Sequence, residues 1–223
     1  FFIDQNTGWN TADNTQSNSG IYKSTDGGIT WAPKNNQSCA SVFFVNSNIG
    51  WAVGASGNIL KSTDGGETWT PKTSGTTSDL NCVKFYNSNL GMCVGNAGTV
   101  LLSTDGGETW ISQNSGTAND LKSITFTNST SAWVAGNNGT IQQTTDLGSS
   151  WTSYNSVTTN SLNSVFFINE NTGWFGGFNE TILKYSEPIP TANHFIPIWS
   201  DNPYSPMNIY VTSATVDGAD LVA

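Results

Sequence analysis

The sequence predicts an all-β protein, a β-propeller built from four-stranded blades. Two observations predict this fold: an eight-residue phrase that occurs four times in the 223 residues, and a second motif of two apolar strands that recurs with it. The phrase first runs from Ser24 to Trp31, and its later copies begin 38, 41 and 41 residues further along. A motif repeated at a period near 40 residues indicates an array of one supersecondary unit.

Each repeat contains the segments for four short strands. In the second repeat, an apolar strand begins at Ser41, and a polar turn leads to a second apolar strand headed by Trp51. A turn bounded by Gly54 and Gly57 follows, and then come a third strand, the phrase and a fourth strand. Four strands separated by Gly, Asn, Ser and Asp turns are typical of a propeller blade.

Two prolines predict the order of the strands within a blade. Pro33 and Pro71 each lie two residues after the tryptophan of the phrase. Proline has no N–H to donate to a sheet, so it is confined to edge strands. The strand after the phrase is therefore expected at the outer edge, and the segment 41–44 at the inner edge, next to the propeller axis.

The propeller is expected to be incomplete. Residues 1–9 match residues 166–174, so the chain begins within an innermost strand. Residues 1–186 then provide about five blades. The fifth repeat has no phrase after residue 186, which leaves two interpretations: the last blade is short, or a strand from upstream of Phe1 completes it. The need to remove sheet edges favours the second interpretation.

The composition changes after residue 186. Five of the seven prolines lie in this region, and we predict that 187–206 is a proline-rich linker. Apolar and polar residues alternate from Met207 to Ser213, as in a half-buried strand. Residues 207–223 are therefore expected to begin a second, truncated β module.

The repeated phrase resembles the Asp box, also called the bacterial neuraminidase repeat. The stretch from Gly50 to Trp69 is most similar to the photosystem II assembly and stability factor family, and the resemblance covers residues 1 to about 186. It implies a propeller, commonly of seven blades, with a non-enzymatic binding role. The box also occurs in sialidases and in glycosidases of the xyloglucanase type, so it says much about fold and little about function.

The four boxes are predicted to be structural. Their aspartates can accept hydrogen bonds from the N–H groups of their own turn. They also recur at regular intervals, whereas a catalytic site needs one convergent set. In the fourth copy Leu147 replaces the first glycine, which makes that turn less well specified. The predicted structural residues are Ser24, Asp26, Gly28, Trp31, Ser62, Asp64, Gly66, Trp69, Ser103, Asp105, Gly107, Trp110, Asp146, Gly148 and Trp151.

The residue inventory argues against most enzymes. All seven basic residues are lysines, and a sialidase needs arginines to hold the substrate carboxylate. His194 is the only histidine, so there is no material for a histidine-based metal site or catalytic triad. We predict no catalytic residue, no metal and no cofactor. A glycoside hydrolase that uses two carboxylates remains an alternative, although no carboxylate pair stands out.

Charge and hydropathy exclude other partners. The formal net charge of −9 repels nucleic acid backbones, and no apolar run approaches the roughly 20 residues of a membrane helix. Few lysines, no arginine and many Asn, Ser and Thr favour a secreted or cell-surface location in a multidomain bacterial protein.

The function predicted is that of a binding or scaffold propeller with a protein or carbohydrate ligand at its axial face. The family's binding patch is expected to carry arginines, so the resemblance implies the fold and a binding role but not the photosystem partner. The first repeat has a longer loop from Asn10 to Gly20, and loops carry function on rigid scaffolds. Trp9, just before this loop, and Asp13, within it, are the candidate contacts; the alternative is a solvated polar insertion.

Overall fold

The computed structural model describes residues 1–12, 19–186 and the backbone of a strand at 195–197. It consists of five antiparallel sheets, which we call blades 1 to 5. Blade 1 contains β1 (Gly8–Ala12), β2 (Gly20–Ser24) and β3 (Ala32–Asn35); blade 2 contains β4 (Ser41–Phe44), β5 (Gly50–Val53), β6 (Ile59–Ser62) and β7 (Thr70–Lys72); blade 3 contains β8 (Leu80–Phe85), β9 (Gly91–Gly95), β10 (Thr99–Ser103) and β11 (Ile111–Asn114). Blade 4 contains β12 (Leu121–Phe126), β13 (Ala132–Gly136), β14 (Ile141–Thr144) and β15 (Thr152–Tyr154); blade 5 contains β16 (Leu162–Asn169), β17 (Thr172–Gly177), β18 (Ile182–Ser186) and β19 (Phe195–Pro197).

The strand order within the blades confirms the predicted propeller. Blades 2 to 5 pair their strands in sequence order, so the first and fourth strands form the two edges. The first strands of successive blades contact one another, which places them nearest the axis. Pro33 and Pro71 both lie in fourth-position strands at the outer edge, β3 and β7.

Blade 5 differs from the prediction. Its fourth strand is β19, which pairs antiparallel with β18 through Lys184 and Ile196. The expectation that this chain provides no fourth strand for the fifth repeat is therefore wrong, while a contribution from upstream of Phe1 stays a prediction. β19 comes from within the predicted linker 187–206. The sequence hid it because no Asp box precedes it and only three residues pair. The division of residues beyond 186 into linker and second module otherwise stays a prediction.

The hydrophobic core lies between the blades. The second strands β5, β9 and β13 are buried along their whole length because a neighbouring blade covers each of their faces. This explains why their sequences read as continuous apolar runs. One cluster joins blades 2 and 3, a second joins blades 3 and 4, and a third joins blades 4 and 5.

The beginning of the chain follows the repeat. Phe2 forms a bridge with Gly8, and the Trp9 N–H donates to the Phe1 carbonyl over 2.8 Å, as expected of an innermost strand. None of the three cysteines forms a disulfide within the described residues, and all three are buried. In the β8–β9 register Cys82 pairs with Val94 and Cys93 pairs with Val83, so the two cysteines lie on opposite faces of the sheet.

Val157 is a strained residue in the loop between blades 4 and 5. Its φ is +54°, where a β-branched side chain is disfavoured, and the same place in the preceding loops holds Gly75 and Gly116. Val157 is also 59% exposed, so it contributes little packing. We expect Val157→Gly to raise the free energy of unfolding by about 0.5–1 kcal/mol, since it removes the left-handed penalty. Urea denaturation measures the change; Val157→Ala, which keeps most of the penalty, should gain less, and an equal gain would contradict the explanation.

Candidate functional site

Each blade presents two ends to the surface. At one end lie the Asp boxes and the turns between first and second strands; we call this the Asp-box face. At the other end lie the 3-10 turns Ala55–Gly57, Asn96–Gly98 and Asn137–Gly139 and the loops that lead into each following blade. We call this second end the hairpin face. The antiparallel registers place the two faces at opposite ends of the strands.

In each Asp box, the aspartate accepts its hydrogen bonds from residues of the same box. In the second copy, the Ser62 hydroxyl donates to Asp64 over 2.8 Å and accepts the Gly66 N–H over 2.8 Å. Asp64 also accepts the Thr68 N–H and, over 2.6 Å, the Thr68 hydroxyl. The same contacts recur at Asp26, Asp105 and Asp146. The carboxylates are thus occupied by their own turns.

These hydrogen bonds control the acidity of the box carboxylates. The Thr68 hydroxyl, followed by the Thr68 N–H, lowers the pKa of Asp64 from 3.8 to about 2. The equivalent donors lower the pKa of Asp26 and of Asp105 to about 2, and Ser150 lowers the pKa of Asp146. A general acid for glycoside hydrolysis needs the opposite shift. The boxes therefore cannot act as proton donors near neutral pH.

The box carboxylates make folding sensitive to acid. Their folded-state pKa lies below the unfolded value, so the stability they contribute is present above about pH 4 and is lost as the pH falls through about 2. We expect the urea midpoint of the protein to fall steeply between pH 4 and pH 2. Asp105→Asn should lower the midpoint at pH 7 and flatten its decline below pH 4. Tryptophan fluorescence follows both transitions, and a variant that shows the same acid slope as the wild type would contradict this role.

Trp9 is a core residue. It has no exposed surface, it stacks on Phe44 of blade 2 with 3.6 Å between ring centroids, and its Nε1 donates to the Gly65 carbonyl over 3.1 Å. Trp51 does the same one blade later, on Phe85 and Gly106. The predicted ligand contact of Trp9 therefore gives way to a role between blades, because a wholly buried side chain has no surface to offer. Asp13 lies outside the described residues and stays a prediction.

Ion pairs on the Asp-box face join blades 1 to 3. Glu67 of the blade 2 box accepts Lys23 over 2.8 Å and Lys34 over 2.6 Å, both from blade 1. Glu108 of the blade 3 box accepts Lys61 and Lys72 of blade 2 over 2.7 and 2.6 Å. The lysine hydrogen bonds lower the pKa of both glutamates. These carboxylates serve the junctions and are not free to act on a ligand.

The hairpin face of blades 3 and 4 carries a connected set of polar side chains, which we call the amide network: Asp79, Asn81, Asn96, Asp120, Lys122 and Asn137. Asn81 donates to the Asn96 side-chain oxygen over 2.9 Å and to the Leu121 carbonyl over 2.8 Å. Lys122 donates to Asn96 and Asp120, each over 3.3 Å.

Two aspartates of the amide network tie each blade to the next. Asp79 accepts the Ser56 N–H over 2.9 Å, and Asp120 accepts the Ala97 N–H over 3.0 Å. Both donors belong to the 3-10 turn of the preceding blade. The Ala97 hydrogen bond, and then Lys122, lowers the pKa of Asp120. Asn137 also donates to Asp120 over 3.1 Å. The network is therefore fixed in place by backbone contacts, yet it lies at the surface.

A second strip of paired amides follows along the hairpin face. Asn138 donates to the Asn119 oxygen over 3.0 Å, and Asn119 donates to the Thr140 hydroxyl over 2.9 Å. One blade later Asn179 donates to Asn160, which donates to the Thr181 hydroxyl. Each pair leaves one amide oxygen and two amide hydrogens outside these hydrogen bonds, since a side-chain amide has two donors and an acceptor.

Sequence reasoning did not single out the amide network. The recurrence of Asp79 and Asp120 was visible at 41 residues and indicated a turn. Asn96 and Asn137 recur at the same spacing, each at the start of a 3-10 turn. This recurrence was the signal from which the amide network could have been predicted. What the sequence could not show is that Lys122 and Asn81 reach these turns from the innermost strands.

A metal-binding cluster and a membrane-spanning helix are both absent from the described residues. No group of three or more His, Cys, Asp or Glu side chains could hold a metal ion there. In the same part of the chain, no helix is long and apolar enough to cross a membrane.

The comparison with known families agrees with this geometry. The sequence profile of the BNR/Asp-box repeat matches residues 22–33, and the profile of photosynthesis system II assembly factor YCF48 matches residues 35–115. Over the matched residues, the repeats are similar to the Asp-box repeat and to photosystem II assembly factor YCF48. The second profile spans the junction of blades 2 and 3, where the Trp51 indole N–H donates to the Gly106 carbonyl and Lys61 pairs with Glu108. No curated protein matches the sequence.

Solved structures share the fold of these Asp-box blades. YCF48 bound to D1 peptide has a TM-score of 0.64 and 21% identity, and the match covers 84% of this chain and 62% of that chain. YCF48 from Cyanidioschyzon merolae has a TM-score of 0.62 and 17% identity, with 75% and 61% covered. A GH74 enzyme from Niastella koreensis has a TM-score of 0.64 and 19% identity, with 79% and 34% covered. This chain thus spans less than two thirds of each, and the likeness establishes the fold alone.

Proposed function

We propose that this chain is the binding part of a non-catalytic propeller, and that its hairpin face binds an extended segment of a protein partner. The observation that carries the proposal is the amide network with its adjoining strip of paired amides. These side chains are at the surface, and hydrogen bonds to neighbouring blades hold their positions. Preorganised polar groups bind with a smaller entropic cost than mobile ones.

An extended polypeptide suits this surface chemically. Its backbone presents alternating N–H and C=O groups, and side-chain amides offer one donor and one acceptor in matching geometry. Asn138 and Asn179 repeat that pair of groups one blade apart. Lys122 uses two hydrogen bonds and retains a third ammonium proton for a carboxylate or carbonyl of the ligand. The solved YCF48 structure bound to D1 peptide supports a peptide ligand by likeness of fold.

Selection of peptides tests the proposal. A display library of unstructured twelve-residue peptides is selected against the full chain, and the recovered peptides are measured by calorimetry. Asn96→Ala combined with Asn138→Ala is expected to weaken binding about tenfold or more, since each lost hydrogen bond contributes about 1 kcal/mol. Asn128→Ala on the Asp-box face, which removes a comparable amide, is the matched control and should bind as the wild type does. Equal loss in both variants, or no selected peptide at all, would overturn the proposal.

A glycoside hydrolase is the alternative, and the fold shared with GH74 enzymes favours it. Hydrolysis needs one carboxylate that is protonated near neutral pH and a second across a cleft. Hydrogen bonds lower the pKa of the Asp-box aspartates, of Glu67 and Glu108 and of Asp120, which is the wrong direction for a proton donor. Release of reducing ends from xyloglucan by the chain would establish this alternative over the binding role.

The wider setting of the propeller is also a proposal. We retain a secreted or cell-surface location in a multidomain bacterial protein, on the basis of its composition. Antibody detection in the culture medium, surface and cytosol fractions of the source cells tests it, and detection only in the cytosol would overturn it.

A further inference from the structure

One side of blade 5 is open. We call it the outward face of blade 5, and it consists of Phe166, Ile168, Trp174, Ile182 and Lys184. Phe166, Ile168 and Ile182 are 60%, 61% and 42% exposed, whereas the counterparts of Ile182 in blades 2 to 4, which are Ile59, Val100 and Ile141, are buried. Trp174 and Lys184 lie opposite each other on β17 and β18. Within the described residues, neither the Trp174 Nε1 nor the Lys184 ammonium group has a hydrogen-bond or ion-pair partner.

The same tryptophan–lysine pair occurs twice more, and there its partner is visible. Trp9 lies opposite Lys23 in blade 1, and Trp51 lies opposite Lys61 in blade 2. In both blades the indole N–H donates to the carbonyl of the first box glycine of the next blade, over 3.1 and 3.0 Å. In both, the lysine also pairs with the glutamate of that box, over 2.8 and 2.7 Å.

Blades 3 and 4 lack the lysine, and the next blade in each case lacks the glutamate. In blade 3 the pair is Met92 and Leu102, and the box of blade 4 has Ser149 where the boxes of blades 2 and 3 have glutamate. In blade 4 the pair is Trp133 and Gln143, and blade 5 has no box. The Trp133 Nε1 then has no hydrogen-bond partner within the described residues. Among these four junctions, the lysine is present where the next blade carries a glutamate and absent where it does not.

We propose that the outward face of blade 5 binds a further Asp-box blade with a glutamate directly after its second box glycine. In this junction the Trp174 indole N–H donates to the carbonyl of the first box glycine, and Lys184 pairs with the glutamate. Ile182 and the adjoining Phe166 and Ile168 are covered by the apolar side of that blade. At the junctions within the chain, Ile59, Val100 and Ile141 are covered in the same way as Ile182. Continuity of the repeated interface and the charge of Lys184 define the partner.

A second copy of this chain does not meet the requirement. The boxes with Glu67 and Glu108 are already engaged by blades 1 and 2. The box of blade 1 is open, but Ile29 stands in the glutamate position and is 84% exposed. A closing blade must therefore offer a glutamate to Lys184 and an uncharged side to Ile29. Blade 3 has this combination, with Glu108 in its box and the Met92–Leu102 pair on its other side.

An extended chain tests the proposal. A copy of residues 80–124, which contains blade 3 and the start of the next innermost strand, is fused ahead of Phe1. Phe1 then occupies the repeat position of Thr125. Surface lysines are acetylated and quantified by mass spectrometry, with the ion-paired Lys23 and Lys61 as internal references. We expect Lys184 to react about fivefold or more slowly than in the original chain, and the Trp174 indole N–H resonance to shift. Glutamine in place of the added glutamate should restore the Lys184 rate and leave the Trp174 shift.

Two outcomes would overturn the proposal. One is an added blade that is folded, as shown by protease resistance and a resonance for its own tryptophan, while Lys184 reacts at the original rate. The other is self-association of the original chain in sedimentation that Lys184→Ala abolishes, which would make a second copy the partner. Neither outcome bears on peptide binding at the hairpin face, so the two proposals are tested independently.

Discussion

Trp51→Ala is expected to lower the free energy of unfolding by about 3–5 kcal/mol. Trp51 is fully buried between blades 2 and 3, and it stacks on Phe85 with 3.4 Å between ring centroids. Its removal leaves a cavity at the centre of one inter-blade cluster. It also leaves the Gly106 carbonyl without the indole donor. Urea denaturation followed by circular dichroism measures the loss.

Two further variants separate packing from hydrogen bonding. Trp51→Phe retains a ring against Phe85 but has no N–H for Gly106, so it should lose about 1–2 kcal/mol. Ile111→Ala, on an outer strand where the side chain is 61% exposed, should change the stability little. If Trp51→Ala unfolded at the same urea concentration as Ile111→Ala, the blades would not depend on this contact.

The repeat allowed much of the fold to be predicted. The Asp box fixed the period, and the prolines after it placed β3 and β7 at the outer edges. The role of Trp9 was also available, since it holds the register position of Trp51 in the repeat. The longer loop that follows Trp9 predicts a ligand contact for it instead, and this prediction was wrong. The equivalence of Trp9 and Trp51 in the repeat is a stronger signal than the nearby loop, because equivalent positions share the same buried environment between blades.

Other features depend on contacts that a linear pattern does not contain. β19 has three residues and no preceding box, so its pairing with β18 follows from the free edge of that strand. The amide network joins turns and innermost strands of different blades: Ser56 and Asp79 are 23 residues apart, and so are Ala97 and Asp120. Which asparagine oxygen meets which donor is decided by the packing of blade on blade. The candidate site was therefore less predictable than the scaffold.

Gly98→Ala is the second substitution with a large expected effect, and Gly116→Ala is its matched control. The two glycines have nearly the same backbone angle, with φ of +68° and +72°. Each alanine pays about 1 kcal/mol for the left-handed conformation. A Cβ at Gly116 meets no atom within 4 Å, whereas one at Gly98 overlaps the Thr117 carbonyl oxygen, which is backbone and has no rotamer to move to.

The difference between these two variants isolates the close approach of the turn to its loop. Gly98→Ala should lose about 3 kcal/mol or more because the loop must shift, and the Ser115 hydroxyl bond to the Gly98 carbonyl, 2.7 Å long, is disturbed with it. Gly116→Ala should lose only about 1 kcal/mol. Urea midpoints of the two variants give the comparison, and equal losses would mean that the backbone angle alone matters. Gly98 ends the turn that begins with Asn96, so peptide binding at the hairpin face should weaken in Gly98→Ala and persist in Gly116→Ala when both are measured well below their melting temperatures.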